Sequence, residues 1–511
     1  MTKTADHSAD VVVIGSGPAG LSAAISALDH GASVIVLDEN TDIGGHAMLS
    51  GGTIHLGGGH RIQRELGIED SPDLIFSDWT RPDMPESRYC DRELVRVFAD
   101  ENVATFDFLE ENGVDFIPDI IRFRPDVESV GPQLVPRLFR CREWPDPAGV
   151  IVHNGNRNGS GLMRALEKSA RRKGAAILLE HKMTGIARSD AGGKVDRVFA
   201  RAEGRELVIA AHGGVVLATG GSTGNVDFRR IFDPRLTEEY QNAGAPYSHQ
   251  TGDGEIAAMR LGAALWGMAA QTAGTSYTMA RTRHIGCQWG YPGAKFGTDS
   301  PVLHRARATG LTVTDWQNLI LVNQTGRRFW NEDDTSHAFF DAALSYSDRA
   351  GDPNGGGPIW AIFDAEAAVR EGWVTEPPFV DPAYFASGQT LEELAANIAN
   401  PYQRQPMDPQ ALAETIARYN SFVEAGRDAD FGRPQVTHRI ATPPFYAAWA
   451  TPMVHDSLAG LRIDRDARVI DLHGAAIPGL FCAGETQGGF SQHGLARACV
   501  FGRIAGRGAA G

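Results

Sequence analysis

No run of about 18 apolar residues, the length a membrane span needs, occurs among the 511 residues of the chain. Positive charge is also in deficit: 48 Lys and Arg against 63 Asp and Glu leave a net charge of -15. That balance argues against nucleic acid or an anionic membrane surface as the main partner, and leaves room for a local basic pocket. The five cysteines (Cys90, Cys141, Cys287, Cys482, Cys499) are scattered, with no CxxC and no CxxCH. Zinc sites, dithiol redox pairs and c-type haem attachment are therefore not indicated. No metal is expected, and free thiols in a reducing cytoplasm are the bland reading. The segment MTKTADHSAD has no apolar core and reads as no secretory signal, so the expected location is cytoplasmic. Internal repeats and low-complexity linkers are missing too. An apolar fraction of 42% and a charged fraction of 22% are ordinary for a globular protein, and the length calls for two or three domains.

What is present is concentrated at the start. VVVIGSGPAG (Val11–Gly20), VIVLD (Val34–Asp38) and IGGH (Ile43–His46) read as strand, glycine turn, helix and second strand ending in a carboxylate. Gly15 permits the tight turn, Gly17 lets backbone approach a pyrophosphate, and Gly20 lets the helix pack close to the strand. Unpaired N–H groups and the positive dipole end of the helix would then face the phosphates. Asp38 sits where a ribose hydroxyl needs an acceptor. A glycine turn that binds nothing would leave Asp38 and the Gly44-Gly45 pair unexplained.

Further along, Asp91–Gly113, Gly161–Gly174 and Thr251–Ala263 read as helices, and Ala175–Leu179 and Lys194–Ala200 as strands. Ile120–Pro147 reads as irregular, its Arg137, Arg140 and Arg142 as surface or cap charges. GGVVLATGG (Gly213–Gly221) is a buried strand running into a second glycine turn. From about Leu265 aromatics, prolines and loops increase, which suggests an inserted domain. IPGLFCAGE (Ile477–Glu485) and the small-residue helix Gly494–Gly506 then return to the first domain. The expected division is 1–264 and 452–511 for the nucleotide-binding domain and 265–451 for a cap. The aromatics Trp266, Tyr277, Trp289 and Tyr291 are read as cap core or as lining for a cyclic substrate.

GSGPAGLSAA, Asp38 with IGGH, LSGG, VVLATGG, TGDG, LVNQTGRRFWNE and IPGLFCAGE…VFGRIAG occur in the order found in the fumarate reductase/succinate dehydrogenase flavoprotein superfamily, which the chain resembles over nearly its whole length. LSGGT is similar to the 3-ketosteroid dehydrogenase branch, and GLxRxxVFGR to branches acting on small carboxylic acids. The resemblance implies an α/β fold: a Rossmann-like FAD-binding domain with an inserted α+β capping domain over the flavin. It implies that Gly15, Gly17, Pro18, Ala19 and Gly20 hold the pyrophosphate, with Asp38 and Glu39 at the adenosine ribose. Gly44, Gly45, His46, Ala47, Ser50, Gly51 and Gly52 would line the flavin, and Met183 the adenine. Thr219, Gly220, Asp253, Gly484 and Glu485 would complete the cradle. Gly494 and Leu495 would open a helix whose dipole stabilises negative charge on reduced flavin.

The chain also departs from the family pattern. Ser336, followed by His337, stands where the fumarate reductases place a proton-delivering arginine. Asp456, preceded by His455, takes the place of the histidine in the reductases' HTMGG motif. The second substrate arginine is missing from a shortened loop that carries Gln492 and His493. With both carboxylate-clamping arginines lost, a fumarate or succinate reaction is not expected. The expected chemistry is dehydrogenation of a C–C bond next to a carbonyl, with His337 and His493 as the first-choice proton acceptors, His455 and Asp456 as the other candidate bases or polarising groups, and Ser336 as a further catalytic candidate. Arg497 could meet an anionic substrate or form an internal ion pair. The alternatives are reduction of an activated C=C bond and a non-catalytic flavin-binding protein. His46 lies one residue out of register with the histidine that carries covalent FAD in succinate dehydrogenases, so noncovalent FAD is favoured. A cyclic ketone, a steroid-like molecule or a small carboxylic acid is the expected substrate, with an unidentified electron acceptor.

Overall fold

The computed structural model describes residues 5–81, 90–120, 135–146, 158–190, 192–267, 279–280, 283–289, 296–300, 303–334, 338–344, 356–490 and 494–511. The chain opens with β1 (His7–Ile14), α1 (Pro18–Asp29) and β2 (Val34–Leu37), as the strand–turn–helix–strand motif predicts. Helices α2 (Arg92–Glu111) and α3 (Asn158–Lys173) follow, then β3 (Ala176–Leu178), β4 (Lys182–Arg188), β5 (Val195–Ala202) and β6 (Arg205–Leu217). Next come α4 (Asp253–Met259), β7 (Ile320–Asn323), β8 (Ile359–Asp364), β9 (Phe385–Gly388), α5 (Pro409–Ala425) and β10 (Phe445–Trp449). The C-terminal part contributes β11 (Arg468–Ile470), β12 (Ala476–Cys482) and α6 (Leu495–Ala510).

One sheet runs β11-β12-β6-β1-β2-β3, with β4 and β5 added through β6. β1 lies parallel to both β2 and β6, β2 to β3 and β12 to β6. Such strands are covered on both faces, which is why β2 (VIVL) is apolar at every position and fully buried. The last strands of the chain thus enter the sheet begun by the first. α1 and α6 pack so closely that a Cβ at Gly502 or Gly506 would collide with the carbonyls of Ala19 or Ala23. The small residues of both helices are what that approach requires.

The central segment forms an antiparallel sheet in the order β7-β8-β10-β9. Strand periodicity splits its side chains between two cores: Ala361 and Phe363 join one, Trp360 and Ile362 the other. The motif LVNQTGRRFWNE is pinned beside this sheet by buried charge. Arg328 meets Glu332 at 2.7 Å and Asp428 at 3.0 Å, and Arg433 meets Glu332 at 3.3 Å. Among the described residues no helix is long and apolar enough to cross a membrane.

Two expectations need correction. The stretch 120–147 is not wholly irregular, because Leu138–Cys141 is a strand between Thr53–His55 and Phe116–Ile120. Arg137 is not at the surface. It is 2% exposed and pairs with Asp70 (2.8 Å) and Asp78 (2.5 Å).

The α1–α6 contact yields a test. Gly506→Leu should cost at least about 1–3 kcal/mol, the scale of overpacking. Chemical denaturation reads this, and an unchanged midpoint would contradict the described approach.

Candidate active site

The glycine turn between β1 and α1 is built by three different constraints. Gly15 has φ 101°, and a Cβ there would strike the Ala218 carbonyl at the end of β6. A Cβ on Gly20 would strike the carbonyl of Gly15. Gly17 is different: its φ of -71° and ψ of -175° suit any residue, and among the described residues a Cβ would meet nothing nearer than the Gly44 carbonyl at 3.9 Å. Space is therefore kept open at Gly17. No side chain caps the α1 N-terminus and Pro18 occupies its first turn, so its backbone donors face that space. A diphosphate fits this cradle in shape and in sign.

Asp38 closes the turn from the far side. It is 8% exposed, and its Oδ2 accepts from Ser16 N (2.8 Å) and Ser16 Oγ (2.6 Å), while Oδ1 accepts from Asn40 N (2.9 Å). Burial raises its pKa, against the pull of these hydrogen bonds. The Asp38 carbonyl accepts from His181 N at 2.8 Å, which ties it to the approach of β4 and buried Met183. Lys182 Nζ bridges Glu39 (2.7 Å) and Asp253 (3.0 Å), two predicted positions joined by a lysine the sequence did not single out.

The second cluster gathers around His46. The helical turn Gly45–Leu49 begins at Gly44 (φ 97°), and Gly52 (φ 65°) packs against Asn158. Gln250 Nε2 lies 2.9 Å from His46 Nδ1 and 3.0 Å from Glu485 Oε2. His455 Nδ1 lies 2.9 Å from Asp456 Oδ2, and Asp456 Oδ1 lies 3.8 Å from His46 Nδ1. The two imidazole rings meet edge-on at 5.6 Å. Ligand atoms of His46, His455 and Asp456 all lie within 4.8 Å, a spacing able to hold a metal ion that the sequence pattern did not indicate. Thr486 Oγ1 donates to the Gly220 carbonyl at 2.9 Å and lies 3.3 Å from Thr219 Oγ1, joining the second glycine turn to Gly484–Thr486. At the α6 N-terminus Gly494 has φ 82°, and among the described residues no side chain caps it and no atom lies within 4 Å of an added Cβ, a second open helix end.

Other predicted residues are placed differently. Arg497 is 1% exposed and donates to the carbonyls of Phe490 (2.9 Å) and Ser457 (3.3 Å). Ser336, His337, Gln492, His493, Tyr277 and Tyr291 lie outside the described residues. Trp266 stacks under the Arg462 guanidinium at 4.9 Å, and Trp289 packs on the main core. Sequence reasoning missed Ser16, Lys182, Gln250 and Glu255. Only Ser16 carried a signal, being inside the glycine turn. Glu255 is 0% exposed and neither carboxylate oxygen has a hydrogen-bond partner among the described residues. Burial pushes its pKa well above its usual value.

These open helix ends and the acid-closed turn fit a flavin dinucleotide in shape and charge. Residues 10–500 match the family model described as FAD binding domain, and the chain belongs to that family. It is an FAD-dependent oxidoreductase. It is 29% identical over 507 residues to fumarate reductase (cytochrome) of Shewanella frigidimarina, covering 98% of this chain and 77% of that one. It is 28% identical over 546 residues to 4-oxocyclohexanecarboxylate 2-dehydrogenase of Sinomonas cyclohexanicum, covering 93% and 87%. Among solved structures, 3-ketosteroid-delta4-(5alpha)-dehydrogenase from Rhodococcus jostii RHA1 with 4-androstene-3,17-dione matches at TM-score 0.60 and 25% identity, covering 100% and 98%.

The open space at Gly17 predicts that Gly17→Val folds but loses FAD, whereas Gly20→Val fails to fold. Retention of FAD by Gly17→Val, read from absorbance after gel filtration, would contradict the cradle. Asp38→Ala should weaken FAD binding by roughly 1–3 kcal/mol, the scale of lost hydrogen bonds to a charged group. Titration of apoprotein with FAD reads it, and unchanged affinity would contradict the role. For Glu255, a raised folded pKa means that stability present below the unfolded value of about 4.5 is lost as pH rises toward the folded pKa. Glu255→Gln removes that loss, so its melting temperature should gain on wild type as pH rises above about 4.5. A gap independent of pH would count against an unpartnered carboxyl there.

Proposed function

We propose that the protein dehydrogenates a C–C bond next to a carbonyl, with His455 as the base and Asp456 as its orienting partner. The observation that carries this reading is the 2.9 Å contact between His455 Nδ1 and Asp456 Oδ2 beside the flavin cradle. Accepting from Nδ1–H, the carboxylate fixes the tautomer and leaves Nε2 as the basic ring atom. It also stabilises the imidazolium formed when the proton arrives. The bound flavin supplies a hydride acceptor at N5. His337 and His493 stay as alternative proton acceptors on the strength of the resemblance, with Ser336 beside them as a further catalytic candidate. Arg497 is proposed as a brace for the 457 and 490 backbone.

A cyclic ketone is the proposed substrate. The relative that dehydrogenates 4-oxocyclohexanecarboxylate supports it, as does the loss of the arginines a dicarboxylate would need. The fumarate reductase relatives favour a second reading, reduction of an activated C=C bond. FAD is proposed to be held noncovalently. Residues 1–264 and 452–511 are proposed as the cofactor domain and 265–451 as the cap.

His455→Ala should slow flavin reduction by a confirmed substrate on the order of 10²–10⁴-fold, the range for a lost general base. FAD should still bind. Anaerobic stopped-flow absorbance reads the rate. A wild-type rate would exclude His455, and His337→Ala and His493→Ala then become the decisive variants. Acid precipitation should release the flavin into the supernatant, whereas colour retained in the pellet would make His46 the attachment point.

A further inference from the structure

We infer that Gln250 is a positioning residue that holds His46 in its neutral, Nε2-protonated tautomer. The tautomer follows from the contacts alone, and only its effect on the cofactor rests on the flavin-site reading above.

An amide and its flipped form have the same shape, so their partners decide the orientation. The end of Gln250 assigned as Nε2 lies 3.0 Å from Glu485 Oε2 and 2.9 Å from His46 Nδ1. Flipped, it would set an amide oxygen against a carboxylate oxygen, two acceptors with no hydrogen between them. The carboxylate therefore selects the NH2 group. At the other end, Thr223 Oγ1 lies 2.5 Å from Oε1 and has a proton to give. Each amide hydrogen then has one receiver, Glu485 and His46 Nδ1. Because Nδ1 accepts, the ring proton sits on Nε2.

Two carboxylates and a second imidazole also face His46. Glu485 Oε1 is 3.5 Å and Asp456 Oδ1 3.8 Å from Nδ1, both at or beyond the limit of a sound hydrogen bond. His455 is the other titratable ring in contact. Gln250 lies nearer to Nδ1 and supplies a donor. Its own backbone stands at φ 50°, in the left-handed region, while the residue is 4% exposed. Glycine would take that conformation with less strain but could not place an amide between Thr223, Glu485 and His46. Beside the flavin, His46 then offers a neutral ring instead of a positive charge.

Solid-state NMR of histidine-15N-labelled holoprotein at neutral pH tests this, with His46→Gln subtracted to isolate the His46 signals. The expected wild-type pattern is an unprotonated Nδ1 and a protonated Nε2. Gln250→Glu and Gln250→Leu should each move the proton to Nδ1 or add a second one. A wild-type His46 protonated on Nδ1 would overturn the assignment without any variant, as would an unchanged pattern in both variants. Absence of bound FAD would defeat the flavin reading instead, and the same spectrum of the FAD-free protein would still decide the tautomer.

Discussion

The buried hydrogen bonds from Ser16 to Asp38 fix the geometry on which the rest of the site depends. They tie the first glycine turn to the end of the second strand, although 22 residues separate the partners. With the turn held there, Gly15 packs beneath Ala218 and the α1 N-terminus points into the space left open at Gly17. The second glycine turn follows β6 directly, and Thr486 fastens it to the C-terminal segment. Residues from both ends of the chain thus converge because one mixed sheet collects their strands.

Charge in this region is managed in two ways. Asp38, Asp456 and Glu485 each have donors: Ser16 and Asn40, His455, and Gln250. Their oxygens are partly satisfied before any ligand arrives, so these acids orient neighbouring groups. Glu255 is handled differently, since nothing among the described residues donates to it and burial favours its neutral form. The same logic acts on Arg497, whose guanidinium meets backbone carbonyls in the interior.

The parallel strands were legible because both their faces are buried, which leaves continuous apolar runs such as VIVL. The cradle was legible because glycines, an acid and a helix follow one another within 30 residues of sequence. Yet the motif does not distinguish Gly17, where space is reserved, from Gly15 and Gly20, where backbone crowds. Arg137 read as a surface charge because its acids, Asp70 and Asp78, lie 67 and 59 residues away. Gln250 carried no local signal at all. Its meaning arises only when His46, 204 residues earlier, and Glu485, 235 residues later, are brought together. His455 and Asp456 were named as two of several candidates, and their pairing emerges from the fold.

The imidazoles and carboxylates proposed to sit at the flavin would remove a proton and pass a hydride from a ketone to the cofactor. The most direct measurement is anaerobic mixing of the oxidised yellow protein with saturated cyclic ketones, 4-oxocyclohexanecarboxylate included, while the flavin absorbance is followed. Bleaching is expected, with an unsaturated ketone as product. An unbleached flavin across the series, combined with reoxidation of the reduced protein by an activated alkene, would contradict it.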